Sequence, residues 1–272
     1  MRAFDLIASW PTQNVACVVT HDGAIIDTFG DIDNRFPLAS VTKLFTAWAT
    51  HIAIEEGSVG LDEVAVDNGA TVRHLLAHAA GFQFEGDVPV SAPGVKRVYS
   101  NTGYEVLADH VSARTGMAFD EYLDEAVVQG IGAASAELIG SAAKDMIASA
   151  MDVARLVIDM QRPSVISQST LVEAITVQYR ELDGIVPGYG KFSPCPWGLG
   201  PEIRGQKHPH WTGSRNSSST FGHFGASGTF AWVDPVANTA CVMLSDLAFE
   251  SWDKSLWPEF NDAVVNETTL RG

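Results

Sequence analysis

A chain of 272 residues, 46% apolar and 18% charged, is long enough for one large domain or two intimately packed ones and too apolar for wholesale disorder. Its formal net charge of -16 excludes nucleic acid and anionic membrane as natural partners, since both are polyanions. A small neutral or anionic substrate stays open, because it meets the field of a pocket and not that of the whole chain.

In chain order, Met1-Arg2-Ala3-Phe4-Asp5 leads into a strand-like segment without an apolar signal core. No run approaches a membrane span, so the expected address is cytoplasmic. Residues 15–20 and 24–29 are β-rich and flank His21-Asp22-Gly23, which predicts a hairpin. Ser40 opens a helix whose apolar positions Val41, Leu44, Phe45, Trp48 and Ile52 recur at helical spacing, with Gly57 as its stop. The middle of the chain stays helical: 71–78 stopped by Gly81, 102–114, 118–129 stopped by Gly130, 149–160 ended by Pro163, and 169–178. From Pro187 the texture turns to Gly, Pro, Ser and aromatics. Strands are expected over 197–203, 228–233 and 239–245, and a closing helix over 256–265 that packs through Trp257, Phe260 and Val264.

Arg215–Thr220 reads as a mobile polar loop. Cys17 and Cys241 lie in β-branched runs and read as buried; with Cys195 they make an odd set of thiols without a C-x-x-C pair, which fits a reducing compartment. Strands at both ends and helices between predict a mixed α/β fold. A largely antiparallel sheet would come from 1–39 and 187–272, a helical subdomain from 40–186, and the ligand cleft would lie between them.

Three clusters carry chemistry. Ser40 and Lys43 are helix-face neighbours, a hydroxyl beside an amine at the positive end of a helix; the bland reading is a cap followed by a solvated lysine. Pro93-Gly94 leads to Tyr99-Ser100-Asn101 just before a helix. Here the bland readings are a half-buried ring and a helix cap, and the functional one makes the Tyr99 oxygen a proton acceptor. That role needs a pKa well below the ~10 of free tyrosine, with Lys43 as the ammonium that lowers it. Gly222-His223-Phe224-Gly225-Ala226-Ser227-Gly228 is dense enough in glycine for a ligand to approach the backbone, although a lone histidine there is more often a structural hydrogen-bonder.

Taken together, Ser40-x-x-Lys43, Pro93-Gly94 ahead of Tyr99-Ser100-Asn101, and His223-x-Gly225 resemble, in order and spacing, the serine hydrolases related to class C β-lactamases. That superfamily includes penicillin-binding DD-peptidases and lactamase-like esterases. Leu75-Leu76-Ala77-His78-Ala79-Ala80-Gly81 and Trp197-Gly198-Leu199-Gly200 support the likeness, which spans about Val15 to Asp246. The resemblance implies a β-lactamase/transpeptidase-like fold and an acyl-enzyme at Ser40. Lys43 and Tyr99 would share the transfer of its proton to the leaving group. Asn101 would bind a substrate amide or carbonyl and steady Lys43, and His223 would stand where many relatives have the lysine of Lys-Thr-Gly. Gly225 would border the substrate, and the backbone N–H groups of Ser40 and Ala226 would form the oxyanion hole. No metal or organic cofactor is implied; the substrate would be a small ester, amide, β-lactam or D-amino-acid peptide.

The chain departs from the pattern in Phe224, which is bulkier than the small or hydroxylated residue of many relatives, in its shortness, and in showing no export signal. Two rival readings remain. His74 and His78, four apart, could chelate zinc, although the residue matching His78 is structural in relatives, and His208-Pro209-His210 reads as an unstructured surface stretch. Alternatively Ser40 acylates and the adduct persists, as in a penicillin-binding acyl sensor.

Overall fold

The computed structural model describes residues 1–270. A 3-10 helix, Arg2–Ser9, stands where a strand-like lead was expected, and its Ala3, Phe4 and Ile7 are buried. The strands that follow are β1 (Val15–His21), β2 (Ala24–Phe29) and β3 (Arg35–Pro37), and the helices α1 (Thr42–Glu55), α2 (Val72–Leu76), α3 (Asn101–Thr115) and α4 (Phe119–Leu123). Next come β4 (Glu137–Leu138), β5 (Met146–Ser149), α5 (Ala150–Gln161), α6 (Gln168–Ala174), β6 (Gly184–Val186) and β7 (Gly190–Phe192). The chain closes with β8 (Glu202–Ile203), β9 (Phe221–Gly225), β10 (Thr229–Asp234), β11 (Thr239–Ser245) and α7 (Leu256–Thr269).

The main sheet has the order β2-β1-β11-β10-β9-β8 with every neighbouring pair antiparallel. The two ends of the chain therefore meet at its centre, with Val15 opposite Ser245 and His21 opposite Thr239. Asp22 and Gly23 join β1 to β2 with φ of 53° and 76°, the left-handed pair that matches the twist of a tight hairpin. Along β11 the side chains alternate. Ala240, Val242 and Leu244 enter a core shared with α1, α3 and α5, while Cys241 and Met243 enter a second core with the N-terminal 3-10 helix and α7. Helix α5 lies directly against β1, β10 and β11, so this part of the 40–186 stretch covers the sheet. On the opposite face Trp257, Phe260 and Val264 of α7 are buried, as their spacing predicts.

Differences from the expected elements are concentrated in short pieces. Strands β4 and β5, inside the stretch that reads as helical, join β3 from the first 39 residues in a separate small sheet; segments of two to four residues carry no period to detect. The predicted strand 197–203 shrinks to β8, and β9 holds the glycine-rich cluster itself. The helix expected over 118–129 is α4 followed by one π turn, Asp124–Val128. Residues 215–220 are anchored, not loose: Ser217 donates to the Asp234 carboxylate through N–H and hydroxyl at 2.7 Å each, and the Arg215 N–H reaches Asp262 at 2.6 Å. Cys17, Cys195 and Cys241 are all buried and unbridged. Among the described residues no helix is long and apolar enough to cross a membrane.

Helix α1 is pinned as well as packed. Trp48 donates its indole N–H to the Asp159 carboxylate at 2.8 Å, and the same carboxylate accepts the N–H groups of Ser164 (2.6 Å) and Val165 (3.2 Å). Replacing Asp159 by alanine leaves those donors without their acceptor. It should cost about 3 kcal/mol of stability in a urea melt; a loss below about 1 kcal/mol would show that the tie is dispensable.

Candidate active site

Ser40 does not cap a helix with its side chain. It sits in a 3-10 turn, Ala39–Val41, and the α-helix proper begins at Thr42. The residue before it, Ala39, has a left-handed φ of 45°, a conformation that costs an alanine energy and persists only where neighbours enforce it. They do so here. Thr229 donates to the Leu38 carbonyl at 2.9 Å, Ser227 to the Pro37 carbonyl at 2.7 Å, and Leu38 N–H to Met146 O at 2.8 Å. Gly225 lies against this turn so closely that a Cβ there would meet Leu38 O at 2.4 Å and Thr229 Oγ1 at 2.5 Å. Gly225 thus serves the approach of strand to turn and lies behind the cavity wall.

Lys43, one turn along α1, is fully buried. Its Nζ donates to Asn101 Oδ1 at 2.7 Å and to the Ala143 carbonyl at 2.9 Å, and stands 3.5 Å from Ser40 Oγ. The rings of Tyr99 and Tyr104 complete its shell, with centroids 4.8 Å and 5.5 Å from Nζ. Burial lowers its pKa to about 7, with Glu105 opposing and Lys144 reinforcing the shift. Asn101 is not the cap of α3; Ser100 is, accepting from Gly103 N–H at 2.9 Å. Freed from that task, Asn101 turns its oxygen to Lys43 and its Nδ2 toward Glu85 Oε1 at 3.4 Å.

Tyr99 corrects one expectation. Its hydroxyl is buried and makes no regular hydrogen bond among the described residues. Burial pushes the phenol above its ordinary pKa, and the Ser40 side chain offsets this only in part. Lys43 lies over the ring face and does not lower it, so a resting phenolate is not what this site holds.

His223 of β9 is buried, with Nδ1 2.7 Å from the Phe224 carbonyl. A carbonyl only accepts, so the proton is on Nδ1 and the unpartnered Nε2 carries a lone pair. Burial, then Lys43, lower its pKa to about 4, so the ring is neutral. Phe224, on the alternate face, packs its ring 4.9 Å from that of Phe249 and belongs to the second core, though it also reaches the cavity.

Ser40, Tyr99, His223 and Ala226 line one cavity of about 460 Å³, closed by Phe84, Val186, Trp197 and Phe249, with Glu250 and Lys254 also bordering it. Lys43, Asn101 and Gly225 stand behind its wall. Three remote stretches are thereby brought together, as the motifs predict.

Several residues take places in the site that the sequence does not indicate. Trp197 wedges its ring between His78 (5.0 Å), Tyr99 (5.9 Å) and His223 (5.7 Å). Behind it, Glu202 accepts from Lys207 at 2.8 Å and Trp211 at 2.7 Å, and pairs with His210 at 3.1 Å, all fully buried. Burial alone would raise the Glu202 carboxyl, but Lys207 and His210 hold it well below the carboxylate range. His210 is therefore a core residue, not part of a surface stretch. His74 and His78 do not share a helix face: α2 ends at Leu76, and His78 has a left-handed φ of 53°. His74 bonds the cap hydroxyl of Thr71 at 2.8 Å, and His78 Nδ1 accepts from Ser100 N–H at 3.2 Å.

The beta-lactamase family model matches residues 11–264. No curated protein sequence matches significantly. Among solved structures, a beta-lactamase from Mycobacterium bovis is similar at 44% identity and a TM-score of 0.97, over 98% of this chain and 99% of that one. An octameric penicillin-binding protein homologue from Pyrococcus abyssi is similar at 17% identity and a TM-score of 0.77, over 97% of this chain and 75% of that one. The simvastatin synthase of Aspergillus terreus is similar at 15% identity and a TM-score of 0.80, over 99% of this chain and 94% of that one.

Gly225→Ala tests the close approach. It should lower stability by about 1–3 kcal/mol, read as a lower urea midpoint at unchanged slope, because strand or turn must give way. An unchanged midpoint would mean that the contact is loose in solution.

Proposed function

The chain belongs to the beta-lactamase family, and from that premise we propose that it is a serine hydrolase that cleaves an ester or amide through an acyl-enzyme at Ser40. The observation that carries the reading is the desolvated amine of Lys43, 3.5 Å from Ser40 Oγ and half neutral near pH 7. A neutral amine has two hydrogens and one lone pair. Asn101 Oδ1 and the Ala143 carbonyl take the hydrogens, which leaves the lone pair for the Ser40 proton.

In the first step Ser40 Oγ attacks the carbonyl carbon as its proton passes to Lys43, and negative charge gathers on the carbonyl oxygen. Backbone N–H groups of Ser40 and Ala226 are the donors we assign to that charge. The bond to the leaving oxygen or nitrogen then breaks, and the proton moves to it from Lys43 by way of the neutral Tyr99 hydroxyl. Water repeats the sequence and releases the acid. With its pKa raised, Tyr99 acts as a relay and not as a resting base.

The cavity's apolar wall and neutral His223 favour an uncharged substrate over one whose carboxylate needs a cation at that strand. Short-chain aryl esters are therefore expected to outrun a cephalosporin or a D-Ala-D-Ala peptide. The two flanks of the cleft, the sheet and the 40–186 stretch, are read as the two halves of the site.

Ser40→Ala is expected to abolish covalent labelling by a fluorophosphonate or penicillin probe, and equal labelling of the variant would end the proposal. Because the neutral form of Lys43 is the base, acylation by an aryl ester should rise with pH through a midpoint at about 7. A midpoint at the ordinary pKa of lysine would remove Lys43 from that role.

A further inference from the structure

We propose that the leaving group of the substrate is a bulky apolar alcohol or amine, held in a second cavity that shares Tyr99 as a wall with the one containing Ser40. The inference rests on the acyl-serine reading and adds to it the part of the substrate that departs. The second cavity has a volume of about 890 Å³, and Phe84, Tyr99 and Pro187 line both hollows. When the acyl carbon bonds to Ser40 Oγ and its bond to the leaving atom breaks, that atom must receive its proton within reach of Tyr99. Whatever is attached to the atom continues past the Tyr99 ring into the larger hollow.

The walls name the chemistry. Phe84, Val95 and Ile185 are large apolar side chains 52%, 58% and 62% exposed, and all three border this one cavity. Singly exposed apolar residues need no explanation, but three converging on a hollow beside a reactive serine mark a place that apolar matter covers. The cations nearby are committed or peripheral. Arg97 donates to the Cys195 and Gln178 carbonyls at 2.7 Å each, and Lys191 pairs with Asp183 at 3.0 Å. Lys96 and Glu181, of opposite sign, are exposed at the surface. A methyl or ethyl group would leave this volume to water, whereas it suits a ligand of the size that fills pockets of roughly 300–1,000 Å³.

Acetate esters differing only in the alcohol provide the test. With the full chain, kcat/KM for 2-naphthylmethyl acetate should exceed that for methyl acetate by roughly tenfold or more, equivalent to about 1.4 kcal/mol of added binding. Ile185→Asp and Val95→Asp, both at exposed positions that folding tolerates, should each cut that ratio by roughly fivefold or more. A ratio near one in the wild type, or a ratio untouched by both substitutions, overturns the assignment. Intact mass separates the two levels of the argument. Acetyl-Ser40 that forms regardless of alcohol size ends the leaving-group proposal alone, whereas absence of acetyl-Ser40 with every ester ends the acyl-serine reading and this proposal with it.

Discussion

An amine taken out of water without a carboxylate to meet it is the constraint on which this structure turns. Lys43 is fully buried, yet its hydrogen-bond partners are an amide oxygen and a backbone carbonyl, both neutral. A carboxylate at either position would hold the ammonium in its charged form and remove it as a base. The arrangement costs stability. The unfolded chain binds the Lys43 proton more tightly than the folded one, so between about pH 7 and the ordinary lysine pKa stability rises with pH, and at and below neutrality the penalty is fully present. Elements far apart in the chain maintain this condition: α1 carries the amine, the start of α3 brings Asn101, the loop before β5 brings Ala143, and two tyrosine rings exclude water.

A second constraint sets the serine in front of that amine. The Pro37–Ser40 turn is bent into a left-handed step at Ala39 and tied to β10 and to the loop before it through Thr229 and Ser227. Gly225 lets β9 come flush with the turn, and the same strand, two residues earlier, turns His223 toward Tyr99 and Trp197. The glycine-rich cluster is therefore less a surface for ligand to lie on than a close backbone contact that sets where the cavity floor is. Strain at Ala39 and the missing side chain at Gly225 express one requirement: turn and strand must touch.

Much of this was legible in the residues, and the rest was not for identifiable reasons. The Asp22-Gly23 hairpin, the buried run of β11 and the helical run of α1 follow from turn chemistry and period, which act locally, although α1 is buried on every side from Thr42 to Ala53 and not on one face. The three motif clusters predicted which stretches meet. The partner of Lys43 supplied by Ala143 had no sequence signal, because a backbone carbonyl looks the same at every residue. The burial of His210 and its bond to Glu202 were equally hidden, since only the tertiary fold brings a polar, proline-interrupted stretch into a core. The expected proximity to Lys43 suggests a lowered Tyr99 pKa, but desolvation, which depends on the tertiary fold, raises it. The anchored loop at 215–220 was missed for a related reason: its tethers, Asp234 and Asp262, lie in other elements.

Proton machinery and substrate walls are built from different material. Lys43 and Asn101 are bonded to each other, Glu202 to Lys207, His210 and Trp211, and all of these are buried with His223, so a change within either bonded set leaves an unpaired group in low dielectric. Phe84, Val95, Ile185, Phe249 and Lys254 come from connecting segments, short strands or a 3-10 turn, and several reach water. Alteration of those walls changes the shape and polarity of the two hollows without touching the hydrogen bonds of the buried Lys43 amine. A chain built this way can keep the buried amine and its partners while the cavity walls vary in surface segments. For that reason the proposed reaction type rests on three motifs, whereas the proposed substrate rests on the cavity walls.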